Sequence, residues 1–112
     1  MQQAISRRSV LIGVTASAAT AFLGSQARAG ETHEILIKRF KFEPQTVRAR
    51  VGDIVRWTNL DIAPHTATAD AFGWDTGELL RDESAEIAVA DGMELTYFCA
   101  FHPHMKATIE IV

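Results

Sequence analysis

The chain has 112 residues, of which 47% are hydrophobic and 22% are charged, and it contains a single cysteine. This length suits one small domain, and one cysteine excludes an internal disulfide. The formal net charge of −3 at pH 7 argues against nucleic acid as a partner.

Residues 1–29 have the pattern of an export signal. A basic start is followed by an uncharged apolar run at residues 10–23, and Ala27-Arg28-Ala29 offers a small-residue cleavage site. The run is shorter than the roughly 20 apolar residues that cross a bilayer, so we expect no stable membrane insertion after cleavage. Ser6-Arg7-Arg8-Ser9-Val10-Leu11 resembles a twin-arginine signal, which predicts export of the domain at residues 30–112 to the periplasm.

The sequence after residue 29 indicates short strands separated by turn residues, with no helix. Residues 47–51 alternate apolar and charged, Gly52-Asp53 follows as a turn, and we expect a hairpin with residues 54–59. Residues 70–77 are predicted as a surface loop in which Phe72 and Trp74 are either anchors or part of a docking face. The remaining predicted strands are residues 35–38, 65–69, 86–89, 95–99 and 107–112. This pattern predicts an all-β sandwich.

A cluster of metal-ligating residue types stands near the C-terminal end. Cys99, His102 and Met105 follow a C-x2-H-x2-M spacing, and His65 is the candidate for a second imidazole. Two histidines and a cysteine in a plane with a weak axial methionine are the ligands of a blue-copper electron-transfer site. The sequence therefore predicts one type 1 copper ion on these four residues.

Three alternatives bear on this prediction. Zinc accepts cysteine and histidine but seldom methionine, so Met105 argues against zinc. Cys99 and Met105 could instead be ordinary core residues. His104 could replace His102, but the equal spacing of His102 from Cys99 and Met105 favours His102 and leaves His104 at the surface.

His33, near the predicted mature start, is expected to be solvated at a frayed end.

The ligand order and the framing strands resemble the cupredoxin family, and the short C-x2-H-x2-M loop is similar to that of the amicyanins. The resemblance covers nearly all of residues 34–112. It implies a Greek-key β-sandwich of about seven to eight strands and an electron carrier rather than an enzyme. It also implies an apolar patch around His102, through which electrons pass, formed by Ile62, Pro64, Phe101 and Pro103.

Two positions depart from the amicyanin pattern. Thr66 stands where that family generally has asparagine, whose side chain braces the ligand loops, so we expect a weaker or differently made brace. Phe101 stands where amicyanins have proline, and we expect its N–H to donate to the Cys99 sulfur in addition to a hydrogen bond from Thr66. These departures argue against assuming the amicyanins' partner, methylamine dehydrogenase.

The resulting hypothesis is an exported, monomeric blue copper protein that carries single electrons between redox partners. A c-type cytochrome, a dehydrogenase or a terminal oxidase or reductase would suit it. With 8 basic and 14 acidic residues after position 29, the net charge near −6 would steer a basic partner. The alternative is a periplasmic copper-binding protein for copper delivery or resistance. Four histidines leave too few ligands for the extra copper sites of a copper oxidase or nitrite reductase.

Overall fold

The computed structural model describes residues 30–112, and the predicted export signal lies outside them. These residues form eight strands and no helix, which confirms the all-β prediction for this part of the chain. The strands are β1 (Thr32–Lys38), β2 (Lys41–Glu43), β3 (Thr46–Ala49), β4 (Ile54–Asn59), β5 (Thr68–Ala69), β6 (Ser84–Ala88), β7 (Thr96–Cys99) and β8 (His102–Ile111). Within this range, no helix is long and apolar enough to cross a membrane.

Two four-stranded sheets make up the sandwich. One has the order β2-β1-β4-β6 and the other β3-β8-β7-β5. The β1–β4 and β3–β8 pairs are parallel, and the other pairs are antiparallel. The predicted hairpin of residues 47–51 with 54–59 is wrong, because Gly52 and Asp53 carry the chain from one sheet to the other. A turn between alternating strands suits a hairpin and a sheet-to-sheet crossing equally well.

The core lies between the two sheets. Alternation along β4 turns Val55 and Trp57 inward, both fully buried, and Tyr97 and Ile109 face them from β7 and β8. The Trp57 and Tyr97 rings meet edge to face with centroids 5.4 Å apart. The sequence prediction that Trp57 is a core residue is confirmed.

Several predicted strands differ in length or position. Of residues 65–69 only Thr68–Ala69 form a strand, while His65 makes an isolated bridge to Leu79. The last strand is longer than predicted and begins at His102. The register shifts between Phe98 and Cys99, where β7 pairs with β8. Such an irregularity re-aims side chains, and here it lies beside three of the four predicted ligands.

A tight hairpin joins β1 to β2 and was not predicted. Lys38 pairs with Lys41, so Arg39 and Phe40 are the two turn residues, with φ angles of 55° and 59°. Two positive φ angles match the twist of a two-residue hairpin, but such turns usually carry asparagine or glycine. That signal is missing here, which is why the sequence did not reveal the turn.

Candidate metal centre

His65 lies on the loop after β4 and is fully buried. Its backbone exchanges hydrogen bonds with Leu79, at 3.1 Å for the His65 N–H and 2.8 Å for the His65 carbonyl. The Asn59 side-chain amide donates to the carbonyls of Ala63 and Leu79 at 2.9 and 2.8 Å, and so joins both segments. These bonds fix the His65 backbone independently of any metal.

The His65 ring is oriented by a carboxylate four residues earlier in the chain. Asp61 Oδ2 lies 2.8 Å from His65 Nε2. Asp61 also accepts hydrogen bonds from the Arg39 and Phe40 N–H groups at 2.7 and 3.0 Å. Burial acts to raise the pKa of Asp61, but the hydrogen bonds from Phe40, Arg39 and His65 together outweigh it and lower the pKa. An ionised Asp61 accepts a hydrogen bond from Nε2–H, which favours the tautomer with a free lone pair on Nδ1.

The Nδ1 atom of His65 faces Cys99. His65 Nδ1 lies 3.7 Å from the Cys99 sulfur, and both residues are fully buried. The Thr66 N–H donates to the same sulfur at 3.3 Å, as the sequence analysis predicted. A hydrogen bond to a thiolate withdraws charge from it and tunes it as a metal ligand.

The brace between the two loops is made by the Thr66 hydroxyl. Its oxygen accepts the Ala100 N–H at 2.8 Å and lies 2.9 Å from the Thr68 hydroxyl. This is the differently made brace that the sequence predicted. The predicted hydrogen bond from Phe101 N–H to the Cys99 sulfur is absent from the described residues. The adjacent Ala100 N–H is directed to Thr66 across the site instead.

His102 and Met105 belong to β8 rather than to a loop. The His102 ring centroid lies 5.0 Å from that of His65, and Met105 is buried in the same core cluster as Cys99. His104 is exposed, and its ring lies 6.5 Å from that of His102. The structure thus brings His65 close to Cys99 and places the His102 ring beside that of His65, with His104 at the surface. The full ligand set of His65, Cys99, His102 and Met105 stays a prediction.

Phe40 is a site residue that sequence reasoning missed. Its ring contacts His65 and His102 edge to face, with centroid distances of 5.0 and 4.8 Å. The ring is 44% exposed, so one side covers the two imidazoles and the other faces solvent. Asp61 holds the backbone of this same turn, which links the position of Phe40 to that of His65.

The end of the sandwich that carries the site is apolar at its surface. Ile62 is 82% exposed and Phe101 is 49% exposed, and Pro103 is also exposed while Pro64 is half-buried. Phe40 adds to the predicted set. We call these five residues the site-end patch.

A second cluster of ligand-type residues lies at the opposite end of the sandwich. His33 is a half-buried member of β1 whose Nε2 lies 2.8 Å from Asp53 Oδ2, so the prediction of a frayed, solvated histidine is wrong. Asp53 also accepts the Arg50 N–H at 2.9 Å and the Glu31 N–H at 3.0 Å. The bonds from Arg50 and His33 lower the pKa of Asp53 despite partial desolvation. Because these donors occupy the carboxylate, the cluster works as a brace for the start of β1.

Comparison with known proteins identifies a relative of this chain. The chain is 30% identical to amicyanin-alpha of Methylorubrum extorquens over 91 residues, which covers 77% of this chain and 76% of that protein. No family model matches the chain.

Solved structures confirm the fold. The amicyanin of Paracoccus versutus has a TM-score of 0.63 at 21% identity, covering 72% of this chain and 81% of that one. A purple cupredoxin from Nitrosopumilus maritimus has a TM-score of 0.62 at 22% identity, covering 71% and 99%. The chain belongs to the cupredoxin family of blue copper electron-transfer proteins. Within that family it is amicyanin-like.

Proposed function

We propose that this protein carries single electrons through one type 1 copper ion held by His65, Cys99 and His102, with Met105 as the axial ligand. The observation that carries the proposal is the 3.7 Å approach of His65 Nδ1 to the buried Cys99 sulfur. Two ligand atoms of the predicted set, from residues 34 positions apart, face each other inside the core. A buried thiol facing an imidazole nitrogen suits a soft metal ion better than it suits ordinary packing.

The donor set fits copper. A soft thiolate and a thioether favour copper over hard ions, and imidazole binds both of its oxidation states. Copper supplies the Cu(II)/Cu(I) couple when bound. Zinc seldom takes a methionine ligand, and Met105, three residues after His102 on the same strand, is buried.

The surrounding residues hold the donors in one geometry. Asp61 fixes the tautomer of His65, and Thr66 joins the His65 and Cys99 segments through its N–H and its hydroxyl. Phe40 covers both imidazole rings and limits the access of water. Such a site changes little when an electron arrives or leaves, which suits electron transfer better than substrate chemistry, for which an open coordination position is needed.

The site-end patch is the surface on which redox partners would dock. Small apolar patches suit brief encounters between redox proteins, whose interfaces lie at the low end of the size range. A c-type cytochrome, a dehydrogenase or a terminal reductase is the expected kind of partner. The protein acts as a monomeric carrier rather than an enzyme. The signal pattern at residues 1–29 would deliver it to the periplasm by the twin-arginine route.

The experiment is a visible spectrum of the copper-loaded protein and of Cys99→Ser. We expect an intense blue absorption that Cys99→Ser abolishes, because the thiolate supplies the charge-transfer band. A matched control is Ser84→Ala, since Ser84 lies on β6 in the other sheet. Retention of the band in Cys99→Ser would disprove the ligand assignment. Rapid one-electron exchange with a c-type cytochrome separates an electron carrier from a copper-delivery protein, which needs none.

A further inference from the structure

A second group of metal-ligating side chains lies at the end of the sandwich opposite the proposed copper site. Glu31, His33 and Asp53 each offer one ligand atom, and these three atoms lie within 4.8 Å of one another. The Asp53 side chain is 8% exposed and that of His33 is 19% exposed, whereas the Glu31 side chain is 83% exposed. We call these three residues the far-end cluster. The residues that brace the start of β1 are thus also of the types that bind zinc.

The parallel pairing of β1 with β4 brings the far-end cluster together. Thr32 pairs with Ile54, so the residues on either side of Thr32 lie beside Asp53, which directly precedes β4. The Ile54 N–H donates to the Glu31 carbonyl at 2.8 Å, and the Asp53 carbonyl accepts the Val89 N–H at 2.8 Å. The backbone that carries the ligand atoms is therefore fixed before any metal binds, as a precise site requires.

The spacing of the donor atoms matches that of neighbouring ligands on one metal ion. Zinc bonds to nitrogen and oxygen of about 2.0–2.2 Å place adjacent ligand atoms about 3 Å apart. His33 Nε2 lies 2.8 Å from Asp53 Oδ2 and 3.9 Å from Glu31 Oε1. The exposed Glu31 side chain can rotate to close the longer distance, and its carboxylate forms no ion pair with a lysine or arginine of residues 30–112. Water would fill the fourth position of a tetrahedral ion.

A metal ion would take the place of the proton that His33 shares with Asp53. The imidazole releases this proton to solvent, and its Nε2 lone pair then binds the metal. A carboxylate has about four acceptor positions, so Asp53 can bind the ion while it keeps the hydrogen bonds from the Glu31 and Arg50 N–H groups. The two carboxylates of the cluster balance the charge of a divalent ion. Metal binding is therefore compatible with the rest of the brace.

We propose that the far-end cluster is a second metal site, which binds Zn²⁺ through His33 Nε2 and the carboxylates of Glu31 and Asp53. The site is independent of the electron-carrier function. One imidazole with two carboxylates is a harder donor set than the thiolate and thioether of the proposed copper site, so the two sites select different metals. The bound ion ties the start of β1 to residues 52–53, where the chain crosses between the sheets. Its role is structural.

The test titrates Zn²⁺ into the copper-loaded protein, in which copper fills the soft site. Isothermal titration calorimetry should give one zinc ion per chain, with the blue absorption unchanged. At a zinc concentration about 100 times the Kd, the midpoint of thermal unfolding should rise by about 10 °C or more. Ca²⁺ is the control ion because it prefers sites made only of oxygen atoms, and it should bind at least about ten-fold more weakly. Equal or tighter binding of Ca²⁺ would overturn the proposal.

Two variants test the ligands. His33→Gln removes the imidazole but keeps a donor for Asp53, and Glu31→Gln changes an exposed side chain, so at least the second variant leaves the fold intact. Each should weaken zinc binding by about 10-fold or more, since even the loss of a ligand's outer partner costs that much. His104→Gln and Asp82→Asn alter exposed residues outside the cluster and should have no effect. An unchanged zinc affinity in both cluster variants would overturn the proposal.

NMR of the reduced, diamagnetic protein locates the bound zinc. Zn²⁺ should shift the amides of residues 31–33 and 52–54 and the ring signals of His33. Shifts confined to His104, or no shifts at about 1 mM Zn²⁺, a concentration that fills even a weak site, would overturn the second metal site while leaving the electron carrier intact. A protein without a blue band that still binds zinc at the far-end cluster would support this site and overturn the copper assignment.

Discussion

The Asp61 carboxylate lies 2.8 Å from Nε2 of His65, the buried imidazole whose other nitrogen faces Cys99. The same carboxylate holds the turn that carries Phe40. One side chain therefore positions a predicted ligand and the aromatic ring that covers two of them. Carboxylate partners of this kind fix the tautomer of a ligating histidine and raise its basicity.

Asp61→Ala should weaken copper binding by about 10- to 100-fold, the usual cost of losing such a partner. Competition with a chelator measures this affinity. In the metal-free protein, NMR should show that His65 loses its preference for the Nε2–H tautomer. Asp82→Asn, an exposed acidic position that follows Leu80 and Arg81, is the control. An unchanged affinity together with an unchanged tautomer would show that Asp61 serves only the turn.

Thr66→Val should destabilise the protein while leaving most of the blue chromophore. The substitution keeps the branched shape and the backbone N–H that donates to Cys99, but it removes the acceptor for Ala100 N–H. Leaving a part-buried amide without a partner costs about 1–3 kcal/mol. Chemical denaturation of the metal-free protein measures the loss.

Thr66→Ser retains the hydroxyl and should restore most of this stability. Equal stabilities of the valine and serine variants would indicate that methyl packing, rather than the hydroxyl, joins the two loops.

Phe40→Ala should lower the reduction potential of the copper-loaded protein. The phenyl ring shields both imidazoles, and water admitted in its place favours the more highly charged oxidised state. The half-exposed ring also contributes about 1–2 kcal/mol to folding through its buried side. Cyclic voltammetry and thermal unfolding measure the two effects. Leu80→Ala, an exposed apolar position on the loop after β5, is the control.

A potential that rises in Phe40→Ala would contradict the shielding argument. Phe40→Gly relieves the positive φ of the turn and separates backbone strain from packing. If the glycine variant is more stable than the alanine variant by about 1 kcal/mol, strain at this turn is confirmed.

Asp53→Asn should make the free energy of unfolding depend less steeply on pH under acidic conditions. The pKa of Asp53 is lowered in the folded protein from an ordinary value of 3.8, so the unfolded chain binds more protons than the folded one in this range. The stabilising contribution is therefore complete above this ordinary value and is lost as the pH falls through the lowered pKa. Urea denaturation of the metal-free protein between about pH 2 and pH 6 measures the slope.

His33→Gln is the companion variant because His33 is one of the donors that lower the pKa of Asp53. It should reduce the acid dependence by less than Asp53→Asn, since the Arg50 and Glu31 amides remain. If the free energy of unfolding depends on pH in the same way in Asp53→Asn and in the unmodified protein, this brace does not contribute to stability in acid.

The spacing of residue types in the sequence was sufficient to predict the candidate site and the fold class. Cys99, His102 and Met105 lie close together in the chain, so their convergence needs only a tight turn, and chemistry assigns them to a soft metal. Period-two alternation predicted the buried faces of strands such as β4 and β8, because that pattern is local. The Thr66 N–H bond to Cys99 followed from the family resemblance.

The tertiary structure alone decided which strands pair and which side chains surround the site. Residues 47–51 and 54–59 can bury the same apolar faces in one sheet or in two, and long-range contacts, not local pattern, select the second arrangement. Asp61 precedes His65 by four residues, but nothing local turns its carboxylate towards the ring. Phe40 covers the histidines only because a turn without glycine or asparagine is held by that same carboxylate. Sequence therefore determined the chemistry of the donors, whereas packing between the sheets determined how they are held.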